Sequence, residues 1–164
     1  MIEIFPATAK DLSTIKNLAH EIWPATYGAI LSKKQLDYML DLFYSEKALQ
    51  QNITDNHNFI LIQESNEIRG FADYELAFQN EAITRIHKIY LLPKTQGKGL
   101  GKKLIQYIEN KALEVNSLKL SLNVNRFNKA KDFYENQGFK IAFEEDVVLD
   151  FGYLMEDYRM EKML

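Results

Sequence analysis

Between Gln96 and Lys103 the chain reads Gln-Gly-Lys-Gly-Leu-Gly-Lys-Lys. An apolar run, Ile89-Tyr90-Leu91-Leu92-Pro93, precedes it, and a helical pattern on Leu100, Leu104, Ile108 and Ala112 follows. A strand, a glycine-rich turn and a helix in that order aim several backbone N–H groups and the positive end of a helix dipole at one point. Phosphate groups bind at such points. Glycine lets the backbone come close, and Lys98, Lys102 and Lys103 add charge. Two familiar phosphate loops fail here. The P-loop pattern would need glycine at Gln96 and a magnesium-binding hydroxyl at Lys103. The dinucleotide fingerprint would need its third glycine at Lys102.

The loop does match Q/R-x-x-G-x-G/A, as Gln96-x-x-Gly99-x-Gly101. A second segment, Asn125 to Phe139, reads Asn-Arg-Phe-Asn-Lys-Ala-Lys-Asp-Phe-Tyr-Glu-Asn-Gln-Gly-Phe. With these two segments the chain resembles the GNAT superfamily of acyl-CoA-dependent N-acetyltransferases, whose signature N-x-x-A-x-x-F-Y-E-x-x-G-F the second segment resembles. The resemblance implies acetyl-CoA as cosubstrate, with its pyrophosphate on Gln96, Gly97, Lys98, Gly99, Gly101 and Lys102. It also implies main-chain contacts to the pantetheine near Ile89 and Leu91, with an oxyanion N–H near Leu91. Asn128 would bond the pantetheine arm, and an asparagine there is also a candidate N-cap for the short helix.

Acetyl transfer to an amine makes three demands. An alkylammonium with a pKa near about 10 must lose a proton. The tetrahedral oxyanion needs a preorganised donor. The leaving thiolate benefits from an acid. Tyr134, the tyrosine of the Phe-Tyr-Glu signature, is the expected acid. His87 is the candidate base, with Glu81, Asp73 and Glu75 as alternatives. His20 and His57 have no motif around them and read as structural.

Two further stretches, Ile22 to Leu31 and Gly152 to Lys162, resemble a GNAT branch that includes polyamine and diamine acetyltransferases. This implies an acceptor site walled by Trp23, Tyr27, Tyr153 and Asp157, with aromatic faces toward an ammonium group. The expected activity is direct acetyl transfer to a primary amine, inclined toward a small cationic one such as a polyamine. A peptide or amino-acid acceptor, or a non-catalytic acyl-CoA-binding module, are the alternatives.

Elements must position these residues. Ile2 and Ile4 suggest a first strand. Thr8-x-x-Asp11 and Ser32-x-x-Gln35 open two helices, the first bounded by Pro24, and a further helical segment starts near Ser45. Phe59–Ile62, Ile68–Leu76 and Ile83–Leu92 read as strands. A helix from about Gly99 to Val115 follows. Leu118, Leu120, Leu122 and Val124 then alternate with polar residues as a strand. A short helix closes at Gly138, and strands at about 139–148 and 153–163 end the chain. The pattern is mixed α/β, with helices on both faces of a sheet. The resemblance adds that this sheet is mostly antiparallel and splayed between the fourth and fifth strands.

Composition narrows the classes. With 164 residues, one domain over 1–164 is expected. No apolar run approaches the roughly 20 residues of a membrane span, and no signal peptide is legible, so a cytoplasmic location is expected. The absence of cysteine excludes disulfides and a cysteinyl acyl-enzyme. No metal is expected. A net charge of −3 argues against nucleic-acid binding. The family resemblance leaves a homodimer open.

Overall fold

A computed structural model describes Met1–Leu164. The strands are β1 (Ile2–Pro6), β2 (Asn58–Glu64), β3 (Glu67–Glu75), β4 (Ile83–Leu91), β5 (Lys119–Asn125), β6 (Lys140–Val148) and β7 (Leu154–Met163). They form one sheet in the order β1-β2-β3-β4-β5-β7-β6. Every pairing is antiparallel except β4 with β5. The helices are α1 (Leu12–Tyr27), α2 (Lys33–Tyr44), α3 (Glu46–Thr54), α4 (Leu100–Glu114) and α5 (Ala130–Asn136).

Strand β2 shows why both faces are covered. Phe59 and Leu61 pack with α1, α2 and α3, while Ile60 and Ile62 pack with α4. A strand buried on both faces reads as a continuous apolar run, because successive side chains point to opposite sides.

The helix starts follow the capping rules. Ser32 and Ser45 accept from the N–H groups of Gln35 and Ala48. Thr8 and Asp11 form a reciprocal capping box, but on a single 3₁₀ turn that leads into α1. Pro24 does not end α1, which runs on to Tyr27. Pro24 and His20 are both exposed, so the carbonyl that loses its partner lies on the water side.

The sheet forks between β4 and β5. Parallel pairing joins only Ile83–Ile86 to Lys119–Leu122. Beyond it β5 stays with β7, through Asn123–Arg159, Val124–Tyr158 and Asn125–Asp157. A bulge accompanies the split. Tyr74 opposes Ile86 and Asp73 opposes Lys88, so His87 has no opposite residue. Bulges bend a strand and increase its twist, which turns β4 away from β5.

Candidate active site

The glycine-rich loop leads into α4 as its sequence order requires. Gly97 and Gly99 have φ of 83° and 79°, a left-handed region that favours glycine. A Cβ added at either position would meet nothing within 4 Å, so the space above the loop is open. The first N–H to bond back within α4 is that of Lys103, to the Gly99 carbonyl. The N–H groups just before it therefore have no helical partner. Gly101 has a different reason to be glycine. A Cβ there would lie 2.9 Å from the Phe133 ring, so α4 and α5 pack through this position. Gln96 donates to the Leu91 carbonyl at 3.4 Å, tying the loop to the end of β4. Lys98 reaches Glu64 at 3.8 Å, and Lys102 and Lys103 are exposed.

Backbone alternation decides what β4 offers the fork. The Leu92 N–H bonds to the Arg69 carbonyl, so Leu92 and Tyr90 direct their main-chain groups toward β3. Ile89 and Leu91 direct theirs the other way, into the gap. Their side chains pack on the α4 side.

Tyrosines from three elements converge near the fork. Tyr27, at the end of α1, shares a 2.9 Å hydroxyl–hydroxyl hydrogen bond with Tyr90 of β4. Burial raises the Tyr27 phenol; the Tyr90 bond eases it, Asp157 raises it again and Asn128 eases it. Tyr134 of α5 is buried, which raises its phenol well above the ordinary range, with Tyr27 adding to the effect. Its hydroxyl has no protein partner, yet it is not sealed from solvent. A phenol in that state stays protonated at neutral pH and has a proton to give. Tyr90 has the same appearance in the sequence as its apolar neighbours, and only the fork reveals it.

Two residues expected at the site have packing or capping contacts. Trp23 is buried beneath Tyr27, Tyr44 and Tyr90, with ring centroids 4.7, 5.4 and 5.8 Å away. It supports the tyrosines. Asn128 stands two residues before Ala130, where the family signature places its asparagine three before. Its Oδ1 accepts from the Ala130 N–H at 2.9 Å, a capping contact at the start of α5. That helix ends in a Schellman motif, with Gly138 at φ 97° and the Phe139 N–H bonded to the Tyr134 carbonyl.

His87 makes no hydrogen bond or ring contact with Tyr27, Tyr90 or Tyr134. Its partners are Glu75, at 2.9 Å, and His57, on which it stacks. His57, which reads as structural in the sequence, has its Nδ1 2.6 Å from Asp73. Burial pushes His87 down to about 4, against the pull of Asp73. Moving a proton from an alkylammonium with a pKa near 10 to such a group is uphill by about a million-fold in equilibrium. His87 is therefore a poor direct base.

The open end of the fork meets the turn between β6 and β7. A cavity of about 250 Å³ there is lined by Ile30, Leu31, Gln35, Asn125, Tyr153 and Glu156, among others. Gln35 donates to the Leu154 carbonyl at 2.8 Å and holds α2 to β7. Tyr153 packs on Tyr38 at 5.4 Å. Acidic charge dominates: Arg126 alone faces Asp146 at 2.9 Å, Glu144 at 3.9 Å and Glu156 at 4.0 Å. Asp157 is 4% exposed, accepts from Asn123 at 3.2 Å, and is raised by burial.

The acetyltransferase (GNAT) domain profile matches residues 29–162. An uncharacterized N-acetyltransferase from the pepI 3′ region of Lactobacillus delbrueckii subsp. lactis is 28% identical over 170 residues, 99% of this chain and 98% of its own. A spermidine N(1)-acetyltransferase of Thermoplasma acidophilum is 28% identical over 146 residues, 85% of this chain and 89% of its own. The PaiA N-acetyltransferase of the same organism, solved with coenzyme A, superposes with a TM-score of 0.82 at 26% identity, over 100% of this chain and 99% of that one. With the forked sheet, the glycine loop and the family match in agreement, the chain belongs to the GNAT family of acetyl-CoA-dependent N-acetyltransferases.

Proposed function

We propose that the acceptor is a small polycationic amine that enters at the open end of the fork. The observation that carries this is the charge at that end. Three carboxylates share the single guanidinium of Arg126, and the cavity beside them includes Glu156. A cationic ligand lowers that field, while an acidic amine raises it. The spermidine acetyltransferase among the relatives points the same way.

The residues of the loop fit an acyl-CoA. Gly97 and Gly99 leave open space above them, the first turn of α4 has N–H groups to spare, and Ile89 and Leu91 turn main-chain groups into the gap. In this reading Gln96, Gly97, Lys98, Gly99, Gly101 and Lys102 form the pyrophosphate cradle, and the Leu91 N–H is the oxyanion donor. Bound acetyl-CoA supplies a thioester that is open to attack by a neutral amine. Tyr134 holds the proton that the departing sulfur takes, and the proton shed by the newly acylated nitrogen passes through water to restore the phenol. Tyr27, fixed by Tyr90 and backed by Trp23, shapes the wall between the acetyl end and the amine. Asp157 and Glu156 draw the ammonium form in and favour its orientation. The amine reaches the thioester after losing its proton to water.

A panel of amines offered with acetyl-CoA, followed by free thiol, tests the reading. Polyamines should outcompete neutral and acidic amines, and added salt should raise their KM because exposed charge pairs are screened. Asp157→Asn and Glu156→Gln should each raise the amine KM roughly 5- to 30-fold, in keeping with about 1–2 kcal/mol per charge contact. The KM for acetyl-CoA should stay nearly fixed. A peptide N-terminus or an acidic amino acid as best acceptor overturns the assignment, as does an amine KM that neither substitution moves.

A further inference from the structure

The chain has three histidines and no cysteine. Two of the three, His57 and His87, stack with ring centroids 4.0 Å apart and planes 12° apart. Glu75 lies at the edge of both rings, its Oε1 2.9 Å from His87 Nε2 and 3.6 Å from His57 Nε2. One donor atom from each of the three residues lies within 4.8 Å of the others. The far nitrogen of His57, Nδ1, is 2.6 Å from Asp73 Oδ2. Asp73 is fully buried and also meets Lys88 Nζ at 3.2 Å.

We propose that His57, Glu75 and His87 form a transition-metal site of the zinc class, with Asp73 as the residue that positions His57. Two imidazoles and one carboxylate suit Zn²⁺ and leave a fourth tetrahedral position open. A carboxylate on the far nitrogen of a ligating imidazole fixes its tautomer and orientation. Here Asp73 takes the His57 Nδ1 proton in a hydrogen bond, which leaves the Nε2 lone pair facing Glu75. Lys88 shares Asp73, so Glu75 brings the negative charge that draws the cation. His87 needs only to carry its proton on Nδ1, which makes no hydrogen bond in the structure.

The scaffold favours the site. His57 immediately precedes β2, Glu75 ends β3, and His87 is the bulge of β4. Three neighbouring strands therefore set the backbone spacing. Ligand atoms around tetrahedral Zn²⁺ sit about 3.3 Å apart, given bonds of about 2.0–2.1 Å. The rings are stacked with planes 12° apart, so binding turns one imidazole out of the stack until both ring planes contain the ion. This inference does not depend on the acceptor amine or on Tyr134.

The test starts from protein stripped with a chelator. Zn²⁺ is titrated against a chromophoric competitor, and Co²⁺ serves as a spectroscopic substitute. We expect one ion per chain and the visible absorption of four-coordinate Co²⁺. Glu75→Gln and His87→Gln should lose both signals. Asp73→Asn should weaken Zn²⁺ by about 10- to 100-fold, and His20→Gln should leave binding unchanged. Because the cluster is partly buried, a second readout uses the unmodified chain: Zn²⁺ should shift the imidazole NMR signals of His57 and His87 and leave those of His20 in place. The proposal is overturned if stripped wild-type protein takes up no Zn²⁺, if the folded His57→Gln/His87→Gln double variant binds as tightly as wild type, or if only His20 responds.

Discussion

At the scale of single residues, Tyr134 is the side chain whose environment and proposed task agree most closely. It sits on a helix of seven residues whose end is fixed by the Gly138 Schellman turn. Phe133 packs at 5.4 Å on one side and Phe139 at 5.8 Å on the other. The ring is thus held in place while the hydroxyl remains without a protein partner. If that hydroxyl protonates the departing thiolate, its loss should appear in kcat. Tyr134→Phe is expected to lower kcat by roughly 10- to 1,000-fold and leave CoA affinity close to wild type. Burial raises this phenol, so wild-type kcat should show no alkaline fall at the ordinary phenol pKa near about 10. A Phe variant with wild-type turnover across pH would assign the sulfur's proton to water.

At the scale of elements, the glycines of the loop and of α4 separate by cause. Gly99 is constrained by φ, with open space around it. Alanine there meets no neighbour but occupies a left-handed conformation, at a cost of about 1–2 kcal/mol. Relief of that strain turns the free N–H groups away from their common point. Gly99→Ala should therefore weaken CoA, measured by calorimetry, with the rest of the fold intact. Gly101→Ala acts elsewhere, because its Cβ would press on Phe133 at 2.9 Å. Phe133 precedes Tyr134, so this change should lower kcat more than CoA affinity. Equal losses of CoA affinity in the two variants would remove the distinction.

At the scale of the whole molecule, stability should depend on pH through the His57–His87 cluster. Burial holds the folded His87 at about 4, below the ordinary value of 6.5. Between those two values the unfolded chain binds a proton that the folded chain refuses. Stability is therefore highest above about 6.5 and falls as pH drops toward 4, by on the order of 2–3 kcal/mol. Glu145, held low by the Asn123 hydrogen bond despite burial, adds to the loss at more acidic pH, while buried Asp157, held high, opposes it. Urea unfolding at pH 7 and pH 5, with chelator present, measures the slope. His87→Gln should flatten it; an unchanged slope would assign the acid sensitivity to other groups.

The sequence by itself determined the family, the order of nearly all elements and the loop with its positive-φ glycines. These are local matters: period-2 and period-3.6 patterns, capping residues, and a glycine spacing that a strand–turn–helix imposes. It also placed Tyr134 on a short helix, because the Phe-Tyr-Glu run is followed by Gly138-Phe139, which close that helix just past its end. Pro24 shows where local reading stops, since whether a proline ends a helix depends on which side meets water. Only the tertiary structure decided that Tyr90 joins Tyr27, that Trp23 lies behind both, and that Gly101 answers to Phe133. It alone brought His57, Asp73, Glu75 and His87 together from the turn before β2, β3 and β4. The reason is physical. Those meetings depend on strand register, on a bulge at His87 and on the fork that follows, and none of these leaves a mark in the residues on either side.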